Sequence, residues 1–384
     1  MNDTANILTA ETPLNGEAQR QFVSSGLLSR SSFDSRAGVL PWRKEEVRGK
    51  QIRLTHIDGK LPNLALMKLS AWLKHHGAEV SFTKAVSREL FEPQYDLVVG
   101  SSIFGWSANA RDIFVREFPG AIIGGTGVED STTVEQFIGE DWEELDYSIY
   151  PWFKPSIGFS QRGCRLKCSF CVVPKKEGRM QPKGSIASIW RGEPWPKQII
   201  LLDNDFFGQP EWRSKCEELL TGNFKVSFNQ GINVRLIHKD GAEMLAKLKY
   251  CDDQFKTKRL YTAWDNRRDE EIFMRGIRIL LDAGIRPTNI TVYFLCGYWP
   301  GETMDDRMYR FTRMRELGLF PYPMVWDNKN RELKRFQQWC LTAAWRYYEW
   351  EFYRDHRALT GRKPTEDDMF AERDNAPDQR PATQ

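Results

Sequence analysis

The sequence predicts an α/β protein: an N-terminal doubly wound parallel sheet, then a partial (β/α)6 barrel, then a C-terminal helical extension. Three observations predict it. Short β-rich runs alternate with helical stretches from residue 52 onward, which is the signature of parallel βαβ units. The same rhythm restarts after Pro151 as six repeats, regular enough to suit a barrel better than a flat sheet. Past residue 330, apolar side chains recur at alternating three- and four-residue steps.

The elements follow in order. Residues 1–48 are polar and rich in Ser, Thr and Asn, and are expected to form a loosely ordered arm, with "LPWRKEEV" docking on the body. Residues 49–150 form the first domain. "IRLTHI" (52–57) is its first strand, and "PNLALMKLSAWLKHH" (62–76) is a helix stopped by Gly77. "AEVSFT", "YDLVVGSS" and "AIIGG" supply three more strands. Residues 151–330 form the barrel. Its strands are "SIGFS" (156–160), "QIILLDND" (198–205), "KVSFNQG" (225–231), "RLYTAWD" (259–265), "ITVYFLCG" (290–297) and "YPMVWD" (322–327). In residues 331–384, Leu333, Phe336, Cys340, Ala343, Tyr347 and Trp350 mark the apolar face of a helix. The charged, Pro-bearing tail "GRKPTEDDMFAERDNAPDQRPATQ" is expected to be disordered.

Composition narrows the function classes. With 55 Lys and Arg against 52 Asp and Glu, the net charge of +3 makes no bulk case for nucleic acid or membrane. No apolar run approaches the roughly 20 residues needed to span a bilayer. The first residues lack a basic start followed by an apolar core, so no secretory signal is expected. Seven cysteines, an odd number with one tight cluster, do not read as a disulfide framework, and the reducing cytoplasm is the expected compartment.

That cluster carries the chemistry. Cys164, Cys168 and Cys171 stand at C-x3-C-x2-C directly after the first barrel strand. A zinc knuckle needs a nearby fourth ligand, and the next Cys is 216 and the next His 238. Redox thiols need only two cysteines. Three thiolates suit an iron–sulfur cube with one iron left open. At these residues the chain resembles the radical S-adenosylmethionine (SAM) superfamily, and Phe170, just before the last cysteine, matches the family pattern as well. The resemblance implies a [4Fe–4S] cluster whose open iron binds SAM. It further implies reductive cleavage of SAM to a 5′-deoxyadenosyl radical that abstracts a substrate hydrogen, with reduced flavodoxin or ferredoxin as electron donor.

In a barrel of this kind the active site lies at the C-terminal strand ends. "LLDNDFF" sits where the superfamily contacts the SAM amino group, which makes Asp203 and Asn204 candidates by that resemblance. "FNQGINVRL" offers Asn229, Gln230 and Arg235 to the SAM carboxylate or ribose, and "LCGYWPGE" places Gly297 close to the adenine. Asp203, Asp265 and Asp327 have an alternative role as helix caps. Cys296 is expected to be a core residue, and His238 structural or exposed.

The resemblance does not fix the substrate. One reading is a macromolecule such as a tRNA base or a protein side chain, supported by Arg331, Lys334, Arg335, Arg346 and Arg354 interleaved with Trp345, Tyr348 and Tyr353 on the C-terminal helix. Glu349, Glu351 and Asp355 dilute that charge and favour the alternative, an amphipathic helix covering the open side of the barrel. The other readings are a small-molecule or peptide biosynthetic enzyme, and a non-catalytic iron–sulfur electron carrier. Residues 49–150 resemble a degenerate cobalamin-binding domain. Histidine-ligated cobalamin domains carry D-x-H-x-x-G, and here His56 and Gly59 fit while Leu54 stands in place of Asp, so no cobalamin held through a histidine is expected; the alternative is binding without that ligand, its nucleotide-like tail at the Gly-rich "IIGGTG" (122–127).

Overall fold

The computed structural model describes residue 40, residues 43–128 and residues 133–360. The expectations for most of the N-terminal arm and for the charged C-terminal tail lie outside the described residues. At the near end of the arm, Leu40 and Val47 are buried, so the "LPWRKEEV" stretch does pack on the body.

The first sheet is built from β1 (Gln51–His56), β2 (Glu79–Thr83), β3 (Leu97–Ser101) and β4 (Ile122–Gly124), all parallel, in the order β2-β1-β3-β4. The reversal of direction at β1 makes it doubly wound. The crossovers carry α1 (Leu64–His75) and α2 (Ala108–Glu117), and α3 (Val134–Ile138) follows β4. Helix α1 begins where Asn63 Oδ1 accepts the Leu66 N–H at 3.1 Å, an ordinary N-cap. Its face bearing Leu66, Leu69, Trp72 and Leu73 is buried.

The second body repeats the pattern. The strands β5 (Ser156–Gly158), β8 (Gln198–Leu201) and β9 (Lys225–Phe228) pair in parallel, with the short β10 (Lys249–Tyr250) on the outer edge of β9. The two-residue strands β6 (Gln161–Arg162) and β7 (Gln181–Pro182) stand apart as an antiparallel pair. A second parallel ladder holds β11 (Leu260–Ala263), β12 (Ile290–Cys296) and β13 (Phe320–Val325) in that order. Helices α4 (Val173–Lys176), α5 (Ile186–Ile189), α6 (Trp212–Thr221), α7 (Lys239–Lys247), α8 (Glu270–Asp282) and α9 (Met304–Glu316) fill the connections.

The six principal strands therefore lie in sequence order, but as two ladders and not one continuous sheet. Between them the Ile232 N–H donates to Tyr261 O at 2.8 Å. Gly231 permits that approach: its φ is +83°, and a Cβ there would come within 2.9 Å of Tyr261 O. No ladder joins β13 to β5, so among the described residues the strands form an open arc and no closed barrel.

Two further differences from the sequence expectation have physical causes. The C-terminal helix is not continuous. Helix α10 (Arg331–Leu341) ends, Ala343 turns the chain at φ +55°, and α11 (Trp350–Thr360) starts afresh. Leu333, Phe336, Cys340 and Trp350 are buried as the spacing implies, but Tyr347 is turned out to solvent because the turn resets the helical phase. Further, the boundary near residue 150 separates sheets and not cores, since Ile157, Ile200 and Phe255 pack in one apolar cluster with Leu54, Leu66 and Trp72.

Candidate metal centre at the strand ends

The cysteines lie on an excursion clamped at its base. Gln161 and Arg162 pair with Pro182 and Gln181, so residues 163–180 leave and return at one point beside β5. Gly163 starts the excursion at φ +76°, where a Cβ would lie 2.4 Å from Arg179 O, closer than any side chain permits. Its N–H donates to Glu177 Oε2 at 2.9 Å, and Asn204 Nδ2 donates to the same oxygen at 3.0 Å.

The segment after β8 fixes the start of the loop. Asp205 is fully buried and accepts from Arg165 Nε at 2.7 Å and Arg165 Nη2 at 3.1 Å, a two-pronged pair beside Cys164. Asp203 is also buried. It accepts from Ser160 N at 2.8 Å and Ser160 Oγ at 2.5 Å, and burial pushes its carboxyl up to about 6 despite those bonds. Asp203 and Asn204 thus hold the base of the cysteine loop with their side chains. Neither Asp203 nor Asp265 caps a helix, while Asp327 accepts from Lys329 N at 2.9 Å in a local turn.

The three thiols are half-buried and near enough to feel one another's charge. Burial raises Cys164 and Cys171 above the ordinary thiol value. Cys164 Sγ accepts from Leu166 N at 3.4 Å, and Cys168 Sγ accepts from Arg235 Nη2 at 3.7 Å. Arg235 is also paired with Asp269 at 2.9 Å, so it reaches the cysteine loop from beyond β9. Asp265, at the end of β11, accepts from Leu295 N at 3.1 Å. Burial pushes its carboxyl up to about 6, against the pull of nearby Arg235 and Arg310, and Cys171 lies within its field.

The remaining sequence candidates fall around this loop. Phe170 meets Tyr298 edge-on at 5.5 Å between ring centres and Trp299 at 6.2 Å, and Trp299 Nε1 donates to Asp265 O at 2.8 Å. Gly297 takes φ +84° and its N–H donates to Glu302 Oε2 at 2.6 Å. Asn229 is half-buried in the turn after β9, whereas Gln230 is exposed there. Two residues of this region escaped the sequence reading. Asn233 holds a buried Nδ2 with no hydrogen-bond partner, and Arg165 is held by a residue 40 positions away. The only signal for either was its place beside a motif.

Away from the loop, Cys216, Cys251, Cys296 and Cys340 are buried, and burial pushes the Cys216 and Cys296 thiols up to about 12. They are core residues. His238 is exposed. No three His, Cys, Asp or Glu side chains among the described residues converge as ligands of one metal ion. A cube needs no such convergence, because each thiolate binds a different iron. Among the described residues no helix is long and apolar enough to cross a membrane. Compared with known protein families and with curated proteins, the chain matches none.

Proposed function

We propose that the chain is a radical SAM enzyme and that the loop from Gly163 to Met180 holds its cluster. The observation that carries this reading is the position of three half-buried thiols on one clamped excursion that leaves the C-terminal end of β5, the first of the sequential parallel strands. The donor set fits. Cys164, Cys168 and Cys171 are the thiolate ligands, and the Leu166 N–H and Arg235 guanidinium donate to two of the sulfurs, which stabilises their ionised form. Bound there, the cluster and SAM would supply a 5′-deoxyadenosyl radical that takes a hydrogen atom from the substrate.

The chain's own residues have separate tasks. Asp205, through Arg165, and Glu177, through Gly163, hold the loop in place. Asp203 positions Ser160, from whose N–H and hydroxyl it accepts. Arg235 and the unpartnered Asn233 amide offer hydrogen bonds to the polar end of SAM. Phe170, Tyr298 and Trp299 keep water from the side of the loop facing β12.

Anaerobic loading with iron and sulfide, then dithionite and SAM, tests the reading. The expected result is a brown chromophore and release of 5′-deoxyadenosine. Replacing Cys164, Cys168 or Cys171 with Ala should abolish both, and replacing Cys216 or Cys340 should abolish neither. An intact cluster that never cleaves SAM would favour an electron carrier instead.

A further inference from the structure

The net charge of +3 conceals a local concentration. Between Arg162 and Lys183 the chain carries seven Lys and Arg residues and one carboxylate, Glu177. Arg162 and Arg165 are committed to Glu177 and Asp205. Lys167, Lys175, Arg179 and Lys183 are exposed, and among the described residues none of the four has an ion-pair partner. Three of these unpaired cations lie on the clamped excursion and Lys183 just past its base, which concentrates positive charge on the segment that bears the cysteines.

Aromatic rings flank that face on two sides. On one, Trp326 is 52% exposed and backed edge-on by Tyr298 at 4.8 Å, which in turn meets Phe170 of the loop. On the other, Trp106 is 68% exposed and stacks on Phe104 at 4.3 Å with 12° between the ring planes. The Phe104 backbone lies against Gly127, where a Cβ would come within 2.6 Å of Phe104 O, and the neighbouring Gly125 O accepts from Lys176 Nζ at 3.1 Å. The N-terminal sheet therefore brings its exposed indole to the helix that follows the last cysteine.

The C-terminal extension competes poorly for the same role. Tyr353 is fully buried, Trp345 is half-buried under Arg315, and Arg354 is paired with Asp355. These rings and this charge are spent on packing and pairing, although Tyr347, Arg331 and Arg346 stay exposed.

We propose that the face bearing Lys167, Lys175, Arg179 and Lys183, between Trp106 and Trp326, binds an unpaired segment of RNA. The cations meet phosphates, and the indoles stack on bases. Cations alone would also suit an acidic protein, but a solvent-facing indole already held flat by a second ring is a platform for a planar base. Folded RNA presents such bases in its loops, whereas duplexes hide them. The surface claim stands by itself; delivery of a base to the cysteine loop rests on the radical SAM reading.

Fluorescence anisotropy of the full-length protein with a short single-stranded RNA tests it, with matched DNA, duplex RNA and polyglutamate as other arms. Four phosphate contacts give a slope of about −3 in log K against log salt for a single strand. The triple charge reversal Lys175→Glu, Arg179→Glu, Lys183→Glu should weaken binding at least about tenfold, and Trp106→Ala at least about fivefold. Lys225→Glu, at the opposite end of β9, should leave it unchanged. Polyglutamate binding as tightly as RNA, preference for DNA or for a duplex, or indifference to the charge reversal and Trp106→Ala would each overturn the proposal. RNA binding by protein that never takes up iron would uphold this surface while the cofactor reading fell. A working cluster with no RNA binding would do the reverse.

Discussion

The mouth of the arc rests on one buried cation, and removing it is the sharpest test of how the site is held. Arg310 of α9 is 1% exposed. Its Nη1 donates to Trp264 O at 3.2 Å and Asp265 O at 3.0 Å, and its Nη2 donates to Leu295 O at 3.0 Å and to Glu302. One guanidinium thus ties the ends of β11 and β12 together at Asp265. Replacing it with Met preserves most of the volume and removes every donor. Breaking a buried pair costs about 3–5 kcal/mol when a charge is left unpaired. Here Glu302 keeps Arg307 Nε at 3.0 Å and the Gly297 N–H at 2.6 Å, so the expected cost of Arg310→Met lies near the lower end, about 3 kcal/mol. Urea unfolding followed by tryptophan fluorescence measures it as a fall in midpoint at unchanged slope. The control is Arg313→Met, which removes exposed pairs with Glu316 and Glu270 and should leave the midpoint nearly unchanged. A loss below about 1 kcal/mol for Arg310→Met would refute the reasoning, because the three carbonyls would then be satisfied some other way.

Other outcomes follow from single residues. The folded carboxyl of Asp203 sits at about 6, above its unfolded value, so its contribution favours folding below pH 4 and is lost as pH rises to 6. Asp203→Asn should therefore flatten the fall in stability between pH 4 and 7, and an unchanged profile measured by thermal unfolding would contradict the burial argument. Gly163→Ala forces a side chain onto Arg179 O at a left-handed φ and should cost about 1–3 kcal/mol or prevent iron uptake, read by urea midpoint and iron content. Arg235→Ala should weaken SAM binding by about 1.5–3 kcal/mol in cluster-loaded protein, and unchanged affinity by calorimetry would remove Arg235 from the site.

How much of this was legible in the sequence depends on the range of the interaction involved. Strand and helix alternation is local, and it located β1, α1 and the six principal strands to within a few residues. The cysteine spacing is local too. The break between the two ladders was hidden because it turns on Gly231 meeting Tyr261, a contact between positions 30 residues apart. The interruption after α10 was hidden for the opposite reason: alanine is the best helix former, so nothing at Ala343 announces a left-handed turn. Asp203 illustrates the middle case. Its place at a strand end was readable, but whether its carboxylate faces a ligand or Ser160 depends on the path of β5.

His56 shows how far a motif residue can be reassigned by its hydrogen bonds. The imidazole is 1% exposed, with Nδ1 3.0 Å from the Tyr150 hydroxyl. That hydroxyl oxygen also accepts the Asn63 N–H at 3.1 Å, and its bond to Nδ1 runs in the direction that the ring tautomer sets. Burial lowers the ring to about 4, which keeps it neutral at physiological pH. Nε2 is buried without a partner, and a Cβ at Gly59 would sit 3.1 Å from it. A ligating histidine has its other nitrogen oriented by an acceptor, and at position 54 the sequence has Leu in place of the orienting Asp. The first sheet instead ties its loops to the cysteine segment through Lys176 and Gly125, and so stands as a wall beside the thiols.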